Sequence, residues 1–355
     1  MDANSNDTDL ELEKIISEEE DLDVDNAPYE IRTLGADFTL ELLSQKINSG
    51  EIIVPDFQRQ YVWPIKKASK LIESFLLGLP VPQVFLYQEA TKRDLLVVDG
   101  QQRLLTSLYF MNGKFEGKIP FLLKGVKQKW EGQSFETLDE GDKRRLKNYI
   151  LRATIFEQIN PNDSKSVYEI FERLNTGGMP LTEQEVRNCV NRGAINSFLE
   201  EINIIKSWRD LLGKDIPDKR KKDIEIILRV FALIEGWNDY KSPMKDFISS
   251  YMEKYVDIKE EDKVDKIKLF NNITSFIFNE YGKNAFRLSG GRINIAVLDS
   301  VITAVSIIGV ENITNFKEKL DKLKKDQNYG NYISNATTDD DTVKGRIKIA
   351  IDFLK

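Results

Sequence analysis

The 355-residue chain predicts an α+β protein: a small N-terminal domain built on a mixed sheet, followed by an all-helical C-terminal domain. Short apolar runs alternate with stretches of helical period from residue 31 to about 159, as a sheet covered by helices requires. After Asn160 and Pro161 the pattern is helical almost throughout. An apolar content of 41% at this length supports two or three cores. The expected division is an acidic arm at 1–28, the sheet domain at 29–160 and the helical domain at 161–355.

Taken in order, residues 39–48 predict a helix closed near Gly50, and Ile52, Ile53 and Val54 a short strand stopped by Pro55. Ala68, Leu71, Ile72 and Phe75 repeat at i, i+3, i+4 and i+7, the stripe of an amphipathic helix that Gly78 and Pro80 end. Residues 84–87 and 95–98 read as paired strands around a charged turn, and 151–159 as a later strand closing the same sheet. Helices are expected at about 164–174, 182–191, 194–212, 222–236, 243–256, 262–280, 293–309, 313–325 and 342–354, with no internal repeat. The most apolar stretch, 293–308, is interrupted by Asn294 and Asp299 and is too short to span a bilayer, so it predicts a buried helix. No N-terminal apolar signal is found, and the expected location is cytoplasmic, without membrane contact.

The net charge of −7 is unevenly spread: residues 1–26 hold eleven Asp or Glu against Lys14 alone, which leaves the rest of the chain at +3. The simplest reading of that block is a solvated arm; its alternative use is as a mimic of nucleic acid laid over a basic groove. The chain has no histidine and one cysteine, Cys189. That excludes Ser-His-Asp triads, histidine general bases, zinc proteases and structural zinc sites, and it suits a reducing cytoplasm. Any catalysis must come from carboxylates, amides, lysine, arginine, hydroxyls and a bound metal ion.

Asp99, Gly100, Gln101, Gln102 and Arg103 follow the apolar run 95–98 and precede a helix-like stretch. A buried strand that turns sharply into a helix brings the first backbone N–H groups of the helix to one point, where its dipole favours an anion. Gly100 permits close backbone approach, Arg103 adds donors suited to phosphate, and Asp99 could hold a divalent cation or orient water.

A second polar cluster runs from Pro55 to Pro64, where Gln58 and Arg59 could complete a donor set around phosphates. Phe57, Tyr61 and Trp63 there would pack the core or stack on a base. A third runs from Phe171 to Glu185: Thr182 and Glu185 form a capping box, and Arg173, Asn175 and Arg187 would converge near the turn. Arg220, Lys221 and Lys222, and Arg287 with Arg292 around Gly290 and Gly291, are weaker anion candidates. Gly113 to Ile119 is not a phosphate loop of the Walker type, no G-x-G-x-x-G occurs, and Asp339 to Asp341 is explained by helix capping.

With these three clusters in order, the chain resembles the GmrSD-type restriction N-terminal domain family over about residues 30–240. The resemblance implies a ParB/sulfiredoxin-like core and a DGQQR motif associated with nucleoside triphosphate binding and hydrolysis in restriction and phage-defence systems. Asp99, Gly100, Gln101, Gln102 and Arg103 inherit that role, with Gln58 and Arg59 beside them. Asp99, Gln102 and Arg103 are then the catalytic candidates, Asp99 the Mg²⁺ ligand, and Gln58, Arg59, Gly100, Gln101 and Arg103 the nucleotide-binding set.

Sulfiredoxins carry a reactive cysteine where this loop has Gln101 and Gln102, so thiol repair is not expected. Many relatives add a histidine-dependent HNH nuclease domain, for which this sequence has no histidine. DNA, a separate nuclease or defence subunit, and an oligomer are the partners the resemblance suggests. The rival reading is a non-hydrolysing DNA-recognition or regulatory module; a metal nuclease using Asp56, Glu116 and Lys118 has only poor spacing to support it.

Overall fold

Five strands assemble side by side in the order 31–39, 150–158, 84–88, 95–99 and 52–53, a sheet that no single local pattern in the chain announces. The computed structural model describes residues 31–55, 61–88, 94–116, 118–158, 170–171, 173–174, 182–288 and 291–355. The acidic arm, Gln58, Arg59 and the turn at 175–181 lie outside them. The chain divides into two compact units, one within Asn26–Leu181 and one over Thr182–Lys355.

In the first unit β1 (Ile31–Thr39) leads directly into α1 (Leu40–Asn48), whose first turn is capped by the Thr39 hydroxyl. The short strand β2 (Ile52–Ile53) precedes α2 (Ile65–Leu77), which buries Ala68, Leu71, Ile72 and Phe75 as its stripe requires and stops at Gly78 with a φ of 68°. Strands β3 (Val84–Gln88) and β4 (Leu95–Asp99) pair antiparallel, as expected. Helix α3 (Gln101–Met111) follows β4 after one residue.

A two-stranded hairpin, β5 (Lys114–Phe115) with β6 (Ile119–Pro120), and α4 (Glu140–Lys147) come next. The last strand, β7 (Ile150–Gln158), lies inside the sheet, antiparallel to β1 and parallel to β3. Helices α1 and α2 each contact α3 and α4. The core joins Leu40, Ile72, Phe75, Val84, Val97, Leu104 and Phe110.

The second unit is helical: α5 (Glu183–Val190), α6 (Ala194–Asn203), α7 (Lys206–Leu212), α8 (Lys222–Gly236), α9 (Met244–Lys254), α10 (Glu260–Tyr281), α11 (Ile295–Ile308), α12 (Phe316–Lys325), α13 (Gln327–Ser334) and α14 (Asp340–Leu354). The helix expected at 194–212 is two helices, broken at Ile204 and Ile205. Helix α11 is apolar all round and packs against α8, α10, α13 and α14, the position such a helix must take. Its one acid, Asp299, is fully buried between Arg229 of α8 and Arg346 of α14, at 2.6 and 2.8 Å. Among the described residues no helix is long and apolar enough to cross a membrane.

Candidate functional site

Strand β4 ends at Asp99 and α3 begins at Gln101, so the whole change of direction falls on Gly100. Its φ of 99° lies where L side chains rarely sit, and a Cβ there would stand 2.4 Å from Val84 Cγ1. Val84 opens β3 and is fully buried, so the corner is pressed against the sheet and only glycine fits. Gly100 offers no side-chain cap, and the first turn of α3 carries no acid. The start of α3 therefore carries the positive end of the helix dipole with no carboxylate of its own to offset it.

Arg103, one turn into α3, reaches back: Nη2 donates to Asp99 Oδ2 at 2.6 Å and Nη1 to the Pro82 carbonyl at 2.9 Å. The Arg103 side chain is 13% exposed and that of Asp99 29%. Arg103 thus acts first on the chain itself, joining the end of β4, the start of α3 and the approach to β3. The remaining N–H groups of its planar fork are not engaged by any described residue. Asp99 Oδ1 likewise has no partner among the described residues. A triphosphate-bound Mg²⁺ commonly takes one or two carboxylates, phosphate oxygens and water, and this single free oxygen fits that donor set. Among the described residues no three carboxylate, histidine or cysteine groups gather into a metal site independent of a ligand.

Gln102 turns the other way. The Val62 and Trp63 N–H groups donate to its Oε1 at 3.1 and 3.3 Å. These two residues lie just before Pro64 and α2, so Gln102 ties α3 to the segment that follows Gln58 and Arg59 in sequence. Beside it, the Tyr61 and Thr106 hydroxyls share a 2.7 Å hydrogen bond, and Thr106 donates to the Gln102 carbonyl at 2.6 Å. The Tyr61 ring meets Tyr109 and Phe115 edge-on, and burial pushes its phenol up to about 12. Of the aromatics that base stacking would require, Tyr61 is therefore a packing residue.

Residues 40–191 match the family model described as GmrSD restriction endonuclease, N-terminal domain. Over that stretch the chain is similar to this family. The matched stretch runs from α1 to the end of α5 and includes the whole Asp99–Arg103 corner. No curated protein matches the chain.

Several of the other candidates make internal contacts, while Asn175 and Gly290 lie outside the described residues. Thr182 and Glu185 form the expected capping box. Arg187 is almost fully buried, bonded to Glu183 at 2.7 Å and Glu225 at 3.1 Å, so it holds α5 to α8. Lys221 meets Glu200 at 2.5 Å, and Arg220 meets Glu185 at 3.5 Å. Arg287 donates to the carbonyls of Leu211, Leu212, Lys283 and Gly291, which makes it a strut and not an anion donor. Asp340 accepts from the Ser242 N–H and pairs with Lys241. What sequence reasoning missed is the double grip of Gln102 on the main chain 40 residues away. No local signal encodes it.

Proposed function

We propose that this protein is a component of a DNA restriction or phage-defence system whose GmrSD-type domain binds a nucleoside triphosphate at the Asp99–Arg103 corner and, with Mg²⁺, hydrolyses it. The observation that carries the reading is a glycine-only turn, Gly100, delivering an electropositive helix start beside the Asp99 carboxylate, whose Oδ1 has no partner among the described residues. The first N–H groups of α3 point along the dipole toward the phosphate position. Arg103, held by Asp99 and Pro82, presents its remaining donors without the entropy of a free side chain. Asp99 Oδ1 would hold the metal or orient the attacking water. Bound Mg²⁺ supplies charge neutralisation between phosphate oxygens. The core relation to ParB and sulfiredoxin folds belongs to the same proposal. Cleavage of DNA by a histidine nuclease centre is assigned to residues outside this sequence, which has no histidine.

A second reading, a non-hydrolysing DNA-recognition module, is favoured by one specific observation. Two nitrogens of Arg103 are already committed to the chain, which suits a corner that grips and does not turn over. Thermal-shift and phosphate-release measurements on the four common ribonucleoside triphosphates, with and without Mg²⁺, separate the two. Binding at about 100 times Kd stabilises the protein by about 2.7 kcal/mol. Arg103→Ala is expected to abolish the shift while circular dichroism keeps its helical signal. The reading fails if no triphosphate shifts the wild type, or if the variant binds as the wild type does.

A further inference from the structure

A surface assembled from α2 and the segment 121–132 gathers more lysines than its own fold pairs among the described residues. Lys66, Ser69, Lys70 and Glu73 form one stripe of α2, at i, i+3, i+4 and i+7. The segment runs along this stripe: the Lys124 N–H donates to Ser69 Oγ at 3.0 Å and the Lys127 N–H to Glu73 Oε1 at 2.6 Å. Gly125 lies against the Lys66 stem. Lysines from the two elements are thereby brought side by side.

Two acids on this face hold main-chain groups of the segment: Glu131, itself exposed, accepts from the Gly125 and Val126 N–H groups at 3.1 and 2.9 Å, and Glu73, 8% exposed, accepts from the Lys127 N–H. Lys66, Lys67, Lys124 and Lys127 are exposed and form no ion pair among the described residues; Lys70 pairs with Glu73 at 2.8 Å. Lys66 and Lys67 stand in the first turn of α2, which has no acid and no side-chain cap, so they oppose the helix dipole. Lys67 is offset by the Trp63 ring, whereas Lys66 has no such contact among the described residues, and an external polyanion would favour both.

We infer that this face binds the phosphate backbone of duplex DNA; the inference deepens the restriction reading and rests on it for the choice of polyanion. The lysines of α2 span about 6 Å of helix, and those of the segment carry the charge on to the level of Glu73, about 10 Å from Lys66, which is longer than one phosphate group and suited to successive phosphates. The ring close to them, Trp63, lies under Lys67 Nζ at 4.5 Å and is not presented as a stacking platform. Without stacked aromatics, single strands have no purchase here, and contact is with the backbone and independent of sequence.

The test uses the full chain and a fluorescent duplex titrated across salt concentrations, with the variant Lys66→Gln/Lys124→Gln/Lys127→Gln. Each lost phosphate contact lowers the salt slope by about 0.9, so the variant should lose about 2.7 and bind roughly 10²- to 10³-fold more weakly near 0.1 M salt. Its thermal melt should match the wild type, and the triphosphate thermal shift should be unchanged. That second readout separates failure here from failure of the nucleotide reading. A control variant on α12, Lys317→Gln/Lys322→Gln/Lys325→Gln, should bind like the wild type. The inference is overturned if the α2 variant keeps the wild-type slope or if the control loses as much. It is also overturned if the wild type binds phosphatidylserine vesicles but not DNA.

Discussion

Replacing Gly100 by alanine puts a methyl group where the structure has no room for one. The backbone at φ 99° costs an L residue about 1–2 kcal/mol. The new Cβ would also stand 2.4 Å from Val84 Cγ1 and 2.9 Å from Val84 Cβ. Val84 is fully buried in β3, between β7 and β4, and can yield little, so overpacking adds about 1–3 kcal/mol. The expected loss is about 2–5 kcal/mol. Urea denaturation read by hydrogen exchange at β3 and α3 amides confines the measurement to this unit. In a Val84→Ala background the cost of Gly100→Ala should fall by about 1 kcal/mol, because Cγ1 is gone while Cβ remains. A loss below about 0.5 kcal/mol, or no coupling between the two positions, would refute the strained-corner reasoning.

Gln102→Ala removes the acceptor of two main-chain amides, at about 1 kcal/mol. Hydrogen exchange at Val62 and Trp63 should quicken in this variant and stay slow in Gln102→Glu; equal exchange in both rules out the tie. In the helical unit, Asp299→Asn leaves Arg229 and Arg346 buried without their counter-charge and should cost about 3–5 kcal/mol by chemical denaturation. A loss under about 1 kcal/mol would show that the pair of arginines is hydrated.

Burial lowers Lys324 to about 8 from 10.5, so between these values the unfolded chain binds more protons and stability rises with pH. Lys324→Met should flatten that rise when stability is followed from about pH 7.5 to 9.5, below the range where tyrosines titrate. An unchanged slope excludes Lys324 as its source.

Elements whose own residues carry the pattern were legible. The α2 stripe, the paired strands on either side of residues 89–93, the capping box at Thr182 and the buried α11 all follow from local periodicity or local hydrogen bonding. Strand β1 was not, because it is an edge strand exposed over most of its length and shows no alternation. Helix α13 was missed for a related reason: Asn328, Gly330 and Asn331 are poor helix formers, and the turn is held by the Asp326 cap and by Tyr329 bonding to Ser300 of α11. The break after α6 depends on Arg209 of α7, which collects the Asn203 carbonyl and the Asp223 carboxylate through tertiary contacts.

At the site, the position of the corner and the need for Gly100 could be read from a strand, a glycine and a helix in succession. The partners of Arg103 and Gln102 could not, since Pro82, Val62 and Trp63 are distant in sequence and contribute only main-chain atoms.

The oxygen of Gln102 serves the polypeptide, and an oxygen so engaged is not also available to steer a water molecule. If a bound species recruits Gln102 Oε1, two amides at the entrance to α2 are released, and the cost of releasing them is subtracted from the affinity of that species. Occupancy of the corner and the seating of α2 are then linked quantities, and linkage runs in both directions. A polyanion that loosens the start of α2 would favour occupancy at the corner, and one that clamps it would oppose it.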